Sequence, residues 1–279
     1  MLAVYENEIG WRAELALDYQ RRGARTVLAA RRHDGPLVVQ KSLYPEGDGV
    51  CHSIVVHPPG GIAGGDDLRL SARLDVTAHA LLTTPGAGKW YRSAGELARQ
   101  SLQFDISPGA CLEWLPQENI IFNQAHAEMR TAVRLAGDSS FIGWEICCLG
   151  RSGSGEKFSR GNLRARTLIE RDGRPLWFEN GRLEGGGAAL RSAVVMADRT
   201  VVGTLLVASA KLDSTALNAC RALRPINGAG AATLLPGLIV GRYLGASSEA
   251  AKNYFIQLWH ILRLVVVGRE AIDPRIWRT

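Results

Sequence analysis

The sequence predicts a mainly β protein whose helices are confined to the C-terminal third. Short apolar runs alternate with turn residues from about residue 11 to residue 107, at spacings typical of all-β proteins. The middle of the chain continues this pattern, and helical periodicity first occurs after residue 213. No change in composition marks a linker, so we interpret residues 1–279 as one domain.

Strict alternation of apolar and polar residues identifies the clearest strand. From Asp67 to Val76 the apolar residues occupy every second position, which directs them to one face of a sheet. Residues 101–106 repeat this alternation. Further strands are predicted at 129–135, 141–148, 163–169 and 201–208.

Two glycine-containing pairs indicate tight turns between neighbouring strands. Asp172-Gly173 and Asn180-Gly181 are dipeptides preferred in two-residue hairpin loops, because both central residues adopt positive φ there. We therefore predict hairpins at 171–174 and 179–182.

Capping residues delimit two helices near the C-terminus. An Asp-Ser pair at 213–214 caps a short helix through Leu223, and a Ser-Ser pair at 247–248 caps a longer helix that stops at Gly268. A stripe at helical spacing predicts the buried face of the longer helix. Its members are Phe255, Leu258, Trp259, Leu262 and Val266.

The charge balance is moderately basic. The chain has 33 basic and 27 acidic residues, a net charge of +6 and a pI near 9.3, and only five of the basic residues are lysines. The excess is spread along the chain without a long block of like charge, which argues against nucleic acid as a partner. We interpret the densest arginine group, at 21–32, as a solvated hairpin surface, with docking to an acidic partner as the alternative.

The cysteines and the N-terminus indicate a cytoplasmic protein. Five cysteines without a CxxC pair favour a reducing compartment. Glu6 and Glu8 interrupt the apolar start, so we expect no signal peptide. The apolar run at 261–267 contains Arg263 and is too short to span a bilayer, so no membrane association is expected.

Two stretches, 57–66 and 83–93, contain residues that a generic core does not need. In the first, Pro58 and Pro59 fix φ, whereas two Gly-Gly pairs permit positive φ, and Asp66 ends the run. The two stretches flank the strand predicted after residue 66. We therefore expect shaped loops that meet at one end of a sheet.

Neither stretch fits a nucleotide-binding or nucleophilic motif. A P-loop ending at Gly88-Lys89 would need glycine where Thr83 stands and serine or threonine where Trp90 stands. Ile62 occupies the position of the second glycine of GxGxxG, and GxSxG does not occur.

Four motifs together resemble those of the urease accessory protein UreD family, called UreH in some bacteria. They are HPPGGIAGGD at 57–66, TTPGAGKWYRS at 83–93, LPQE at 115–118 and PRIW at 274–277, in order over nearly the whole chain. The motif residues that we expect to shape the loops are His57, Pro58, Pro59, Gly60, Gly61, Gly64, Gly65, Thr83, Pro85, Gly86, Lys89, Tyr91 and Arg92.

The resemblance implies stacked, roughly perpendicular β-sheet layers with β-helix-like character and two α-helices. The pattern of predicted elements is compatible with that architecture. No tandem repeat of fixed period occurs, so the sequence alone does not indicate a regular solenoid.

The resemblance also implies a non-enzymatic urease maturation factor, acting as a chaperone or scaffold. With UreF and the GTPase UreG, such a factor would deliver nickel to the urease apoprotein through an internal polar tunnel. GTP hydrolysis would belong to UreG. The chain would be dimeric within the accessory complex, would bind Ni²⁺ only transiently, and would hold no tightly bound cofactor.

A conduit needs ligands that admit an ion and also release it. Isolated carboxylates and hydroxyls suit this better than a ring of thiolates, by analogy with channels. Asp66, Thr84, Glu145 and Glu179 are therefore the predicted nickel path. Each also has a structural interpretation: a turn cap for Asp66, an ordinary strand position for Thr84, and an ion pair with arginine for the two glutamates.

Other candidates are weaker as metal ligands. Thr83 and Glu118 are additional polar groups within the motifs. His57 is expected to pin its loop through a ring hydrogen bond or to contact metal transiently. Cys147 and Cys148 are neighbours on a predicted strand, so they should face opposite sides and cannot readily chelate one ion together.

A different class of function is a metal-dependent or phosphate-binding enzyme that uses the loops 57–66 and 83–93. Asp66, Lys89 and Arg92 would form its site. Nucleic-acid binding through arginines is a third alternative and predicts a steep dependence on salt.

Overall fold

The computed structural model describes residues 10–278, so the expectation based on Glu6 and Glu8 lies outside the described residues. The strands are β1 (Arg12–Arg22), β2 (Arg25–Asp34), β3 (Val38–Val39), β4 (Cys51–Val56), β5 (Asp67–Leu74), β6 (His79–Thr83), β7 (Gly88–Trp90), β8 (Ala98–Ile106), β9 (Cys111–Trp114), β10 (Asn119–Ile121), β11 (His126–Leu135), β12 (Ser140–Leu149), β13 (Asn162–Arg171), β14 (Arg174–Glu184), β15 (Val201–Ala208), β16 (Ala229–Leu235) and β17 (Leu238–Gly245). The helices are α1 (Ala188–Arg191), α2 (Ser214–Ala222) and α3 (Ser248–Val267).

The strands form two sheets. The first sheet has seven strands in the order β14-β13-β11-β8-β5-β1-β2. The second sheet has ten strands, with the main order β16-β17-β15-β12-β9-β6-β4-β3 and with β7 and β10 attached through β12. The prediction of a mainly β fold with helices in the C-terminal third is confirmed.

Successive coils of the chain stack in parallel and form a β-solenoid. Leu70 pairs with Leu102 in the first sheet, and Leu102 pairs with Thr131, so neighbouring coils are offset by 32 and then 29 residues. In the part of the second sheet that lies off its main strand order, Trp90 pairs with Ile121 and Ile121 with Leu149. Because the offset varies and side chains differ between coils, the repeat was not visible in the sequence.

The hairpin prediction is confirmed at one position and wrong at the other. Asp172 and Gly173 adopt φ of 50° and 75° and connect β13 to β14. Asn180 and Gly181 instead continue β14, where they pair with Arg166 and Ala165. The ladder with β13 pairs the residues on both sides of Asn180 and Gly181, which overrides the local turn preference.

Strand β12 separates two apolar cores. Its odd-numbered residues Phe141, Cys147 and Leu149 belong to the core between the two sheets. Its even-numbered residues, such as Trp144 and Cys148, belong to the core between the second sheet and α3. The molecule is therefore layered as sheet, sheet and helix, and the two adjacent cysteines face opposite sides as predicted.

Both helical caps are confirmed. The Asp213 carboxylate accepts from the Ala216 N–H at 2.8 Å, and the Ser247 hydroxyl accepts from the Ala250 N–H at 3.1 Å. Gly268 ends α3 with φ of 71°. The predicted stripe from Phe255 to Val266 is buried. Within residues 10–278, no helix is long and apolar enough to cross a bilayer.

A charged network that the sequence did not predict lies buried in the helix-side core. The Arg263 guanidinium of α3 has no solvent exposure and donates to both Glu113 carboxylate oxygens at 3.0 Å. It also donates to the two Glu46 oxygens at 2.9 and 2.7 Å. His79 Nε2 lies 2.7 Å from Glu113, and His52 Nε2 lies 2.6 Å from Glu46.

These contacts decide the ionisation of the buried carboxyl groups. Burial alone would raise the pKa of Glu113, but His79, Arg263 and the Trp259 indole N–H together lower it to about 2. The same balance lowers the pKa of Glu46 through His52 and Arg263. The network therefore stabilises the charged carboxylates, and Arg263 is the group that both share.

Replacing Arg263 by methionine should destabilise the fold by about 3–5 kcal/mol, because two buried carboxylates lose their common partner. Urea unfolding at pH 7 measures this change. Arg269→Met is the matched control, since Arg269 follows α3 and is exposed, and it should shift stability by less than about 0.5 kcal/mol. Equal stability of the two variants would contradict a central role for the network.

Candidate functional site

The two unusual loops lie against each other beside β7. The Ile62 N–H donates to the Lys89 carbonyl at 2.7 Å, and the Tyr91 N–H donates to the Ile62 carbonyl at 2.9 Å. This short parallel bridge connects residues 57–66 directly to residues 83–93. The expectation that the loops meet is confirmed.

Glycine is required at several positions of the first loop, for conformational and steric reasons. Gly60 and Gly65 adopt φ of 76° and 93°, which other residues reach only with strain. A Cβ on Gly61 would lie 2.3 Å from the Tyr91 ring. The motif residues therefore fit the two loops to each other.

Asp66 fastens this loop to the start of β1. Asp66 is 7% exposed, and its two carboxylate oxygens accept from the Trp11 N–H and the Ala63 N–H, each at 2.8 Å. Both oxygens thus have backbone partners. The sequence allowed two interpretations of Asp66, a turn cap or a part of the nickel path. The observed contacts are those of a turn cap.

The other sequence motifs converge on the end of β6. The Thr83 hydroxyl donates to the Leu115 carbonyl at 2.6 Å and accepts from the Trp277 indole N–H at 2.8 Å. The Trp277 ring lies 5.7 Å from the rings of both Trp144 and Trp259. The motifs at 83–93, 115–118 and 274–277 are therefore neighbours in space.

The remaining motif residues lie mostly at the surface of the loops. Pro58 and Pro59 are exposed in a turn that the Gly60 N–H closes onto the His57 carbonyl at 2.9 Å. Gly64 packs against Ser93, whose hydroxyl would clash with a Cβ at 2.4 Å. Exposed or half-buried positions are also occupied by Pro85, Gly86, Lys89, Tyr91 and Arg92.

A first cavity of about 270 Å³ lies beneath the loops. The turn from Thr84 to Lys89 lines one side, and His57 lines another. The Thr84 hydroxyl accepts from the Gln117 N–H at 2.9 Å and donates to the Gly86 carbonyl at 3.3 Å. Thr84 therefore both shapes the turn and borders the cavity.

A second cavity of about 280 Å³ lies between the two sheets. Glu145 and Cys147 project into it from β12, and Glu179 projects from β14. Trp114, Trp144 and Glu145 line both cavities, so the two spaces lie on either side of the same side chains. Asp66 does not line either of these two cavities.

Glu145 is the acidic residue common to both cavities. Burial raises its pKa to about 7, and the negative charge of Glu179 adds to this shift. The Cys147 thiol donates weakly to Glu145 Oε1 at 3.7 Å, and burial raises the pKa of that thiol well above its usual value. Near neutral pH the site therefore holds a carboxyl group poised between two protonation states and a protonated thiol.

Glu179 and Glu118 have polar partners in the structure. Glu179 forms an ion pair with Arg242 at 2.8 Å, and Arg242 also donates to the Thr204 hydroxyl at 2.6 Å. This pair borders the second cavity and is more than a third exposed. The Glu118 carboxylate accepts from the Ser248 hydroxyl at 3.3 Å, at the start of α3.

His57 borders the first cavity without a hydrogen bond from Nε2. This nitrogen is buried and has no partner among the described residues. Burial lowers the pKa of His57, while the charge of Asp66 opposes the shift. The ring therefore does not pin its loop through Nε2, and a transient metal contact stays a prediction.

Sequence reasoning missed part of this arrangement. Alternation on β12 already places Glu145 and Cys147 on one face, but the pairing of Arg242 with Glu179 depends on the packing of one sheet over the other.

Residues 10–278 contain no group of three or more histidine, cysteine or acidic side chains that could hold a metal together. The enzyme alternative is not supported either, because Asp66 is buried on backbone donors whereas Lys89 and Arg92 are exposed.

Comparison with known proteins connects this architecture to one family. The model of the family described as "UreD urease accessory protein" matches residues 12–278. The protein named urease accessory protein UreD of Azoarcus sp. (strain BH72) is 56% identical over 277 residues, 99% of this chain and 97% of the relative. The protein of the same name from Dechloromonas aromatica (strain RCB) is 51% identical over 278 residues, 98% and 96% of the two chains.

Replacing Glu145 by glutamine should stabilise the protein at pH 8 and change little at pH 4. The folded-state pKa of about 7 exceeds the ordinary value of 4.5, so the wild-type free energy of unfolding falls as pH rises between these values. The gain at pH 8 is about 1–3 kcal/mol. Urea unfolding at both pH values measures it, and a variant no more stable than wild type at pH 8 would refute the buried, proton-binding role.

Proposed function

The chain belongs to the UreD family of urease accessory proteins, and we propose that it gives nickel a polar route through its interior during urease maturation. In this proposal, UreF and the GTPase UreG join the chain in a complex that docks on the urease apoprotein. The route leads from the first cavity past Glu145 to the second cavity. Nickel is the cargo of this route, and GTP hydrolysis belongs to UreG.

The position of Glu145 supports this proposal most directly. Its carboxyl group lines both cavities, so an ion that passes from one to the other meets this side chain. A pKa of about 7 means that the proton can leave when a cation approaches and return when it departs. Reversible protonation of this kind favours passage over retention.

The ligands around Glu145 suit weak and sequential contacts. Thr84 offers a hydroxyl at the first cavity, whereas Cys147 and Glu179 offer a protonated thiol and a carboxylate at the second. Glu179 is already paired with Arg242, so a cation must displace the guanidinium or share the carboxylate with it. Asp66 has a structural role in this proposal, because its hydrogen bonds hold the loop above the first cavity.

The remaining parts of the proposal concern partners and setting. Relatives are named accessory proteins, which supports a non-catalytic role for this chain. All five cysteines are free thiols, which is consistent with the cytoplasm. We also propose a dimer within the accessory complex, which light scattering on the purified complex would test.

Gly181→Leu provides a direct test, because Gly181 lines the second cavity. A Cβ at this position would meet only the Ala165 carbonyl oxygen, at 3.9 Å, so a larger side chain can occupy the cavity without displacing backbone. We expect urease activity and nickel content to fall at least fivefold in cells that express the urease subunits, the accessory proteins and this variant.

Gly181→Ala is the matched control and should retain most of the activity, since it leaves most of the cavity open. The melting temperature of both variants establishes that they fold. Cells that lack the chain altogether should contain urease without nickel. Full nickel loading with Gly181→Leu would reject the internal route, whereas full loading without the chain would reject the maturation role itself.

A further inference from the structure

Four arginines cluster on the outer face of the first sheet, and one of them, Arg182, also borders the second cavity. Arg130 pairs in register with Arg166, and Arg164 pairs with Arg182, across β11, β13 and β14. All four are exposed. Neighbouring strands lie about 4.8 Å apart, so the four guanidinium groups lie close together. We call the surface formed by Arg130, Arg164, Arg166 and Arg182 the arginine face.

Most of this charge is not neutralised within the chain. Glu128 pairs with Arg130 at 2.9 Å and with Arg99 at 3.5 Å. Neither Arg164 nor Arg182 has an ion pair in the part of the chain that the structure describes. Like charges placed directly opposite each other on a sheet destabilise it, so the fold itself gains nothing from this arrangement.

The surroundings of the arginine face resemble a protein interface. A shallow concavity lies between these side chains, and Asn180 contributes an amide to its wall. Phe178, 55% exposed, lies under the Arg166 guanidinium at 5.2 Å. Arginine beside an exposed aromatic ring is the composition enriched where proteins bind proteins.

We propose that the arginine face binds an acidic segment of a partner protein. Guanidinium groups pair with carboxylates through two parallel hydrogen bonds, which lysine cannot form. Alternate residues of an extended segment lie about 6.6–7 Å apart, which matches the spacing of Arg164 and Arg166 along β13. The inference rests on the proposed function, since maturation requires this chain to contact other proteins.

The test uses Arg182→Glu in the full-length protein. The new carboxylate faces Arg164, so the pair becomes attractive and the melting temperature should stay equal or rise. Arg22→Glu is the matched control, because Arg22 is exposed, faces Arg25 across the β1–β2 hairpin and changes the net charge equally. Fluorescence anisotropy with a labelled deca-glutamate peptide measures binding.

We expect Arg182→Glu to weaken peptide binding at least fivefold and Arg22→Glu to change it less than twofold. Equal loss in both variants, or no binding by the wild type, would overturn the proposal. Binding of an oligonucleotide as tight as that of the peptide, with the same sensitivity to Arg182→Glu, would show a phosphate surface instead. Because the peptide assay needs no nickel or urease, its result is independent of the internal route.

Discussion

The buried guanidinium of Arg263 holds the layers of this protein together. An arginine without solvent exposure is tolerated only where carboxylates neutralise it. Glu113 comes from the wall of the solenoid and Glu46 from the segment before β4, so helix, sheet and segment share one charge arrangement. This contact adds a charged attachment of α3 to the apolar packing of the helix against β12.

Local sequence patterns predicted the strands and helix ends that interactions between nearby residues determine. Alternation identified β5 and part of β8, and the capping side chains of Asp213 and Ser247 marked where α2 and α3 begin. Long-range pairing decided the rest. Asn180-Gly181 has the composition of a turn but lies within β14. The coils repeat in their backbone pairing, whereas their side chains do not repeat.

The candidate site was predicted in part, for a similar reason. Thr84, Glu145 and Glu179 were chosen as isolated polar groups suited to a conduit, and these residues line the two adjoining cavities. Asp66 was grouped with them because it is a carboxylate within the motif at 57–66, yet its oxygens accept from backbone donors. Arg263 had a detectable signal, because it lies four residues after Trp259 and so falls on the buried face of α3.

The burial of all five thiols has a practical consequence for studying this molecule in solution. Burial raises the pKa of Cys148 to about 12 and of Cys220 to about 11, so their reactive thiolate forms are scarce at neutral pH. The native protein should therefore present little background to maleimide dyes or spin labels. A single engineered surface cysteine would then serve as a unique attachment point for spectroscopic distance measurements between this chain and whatever it docks on.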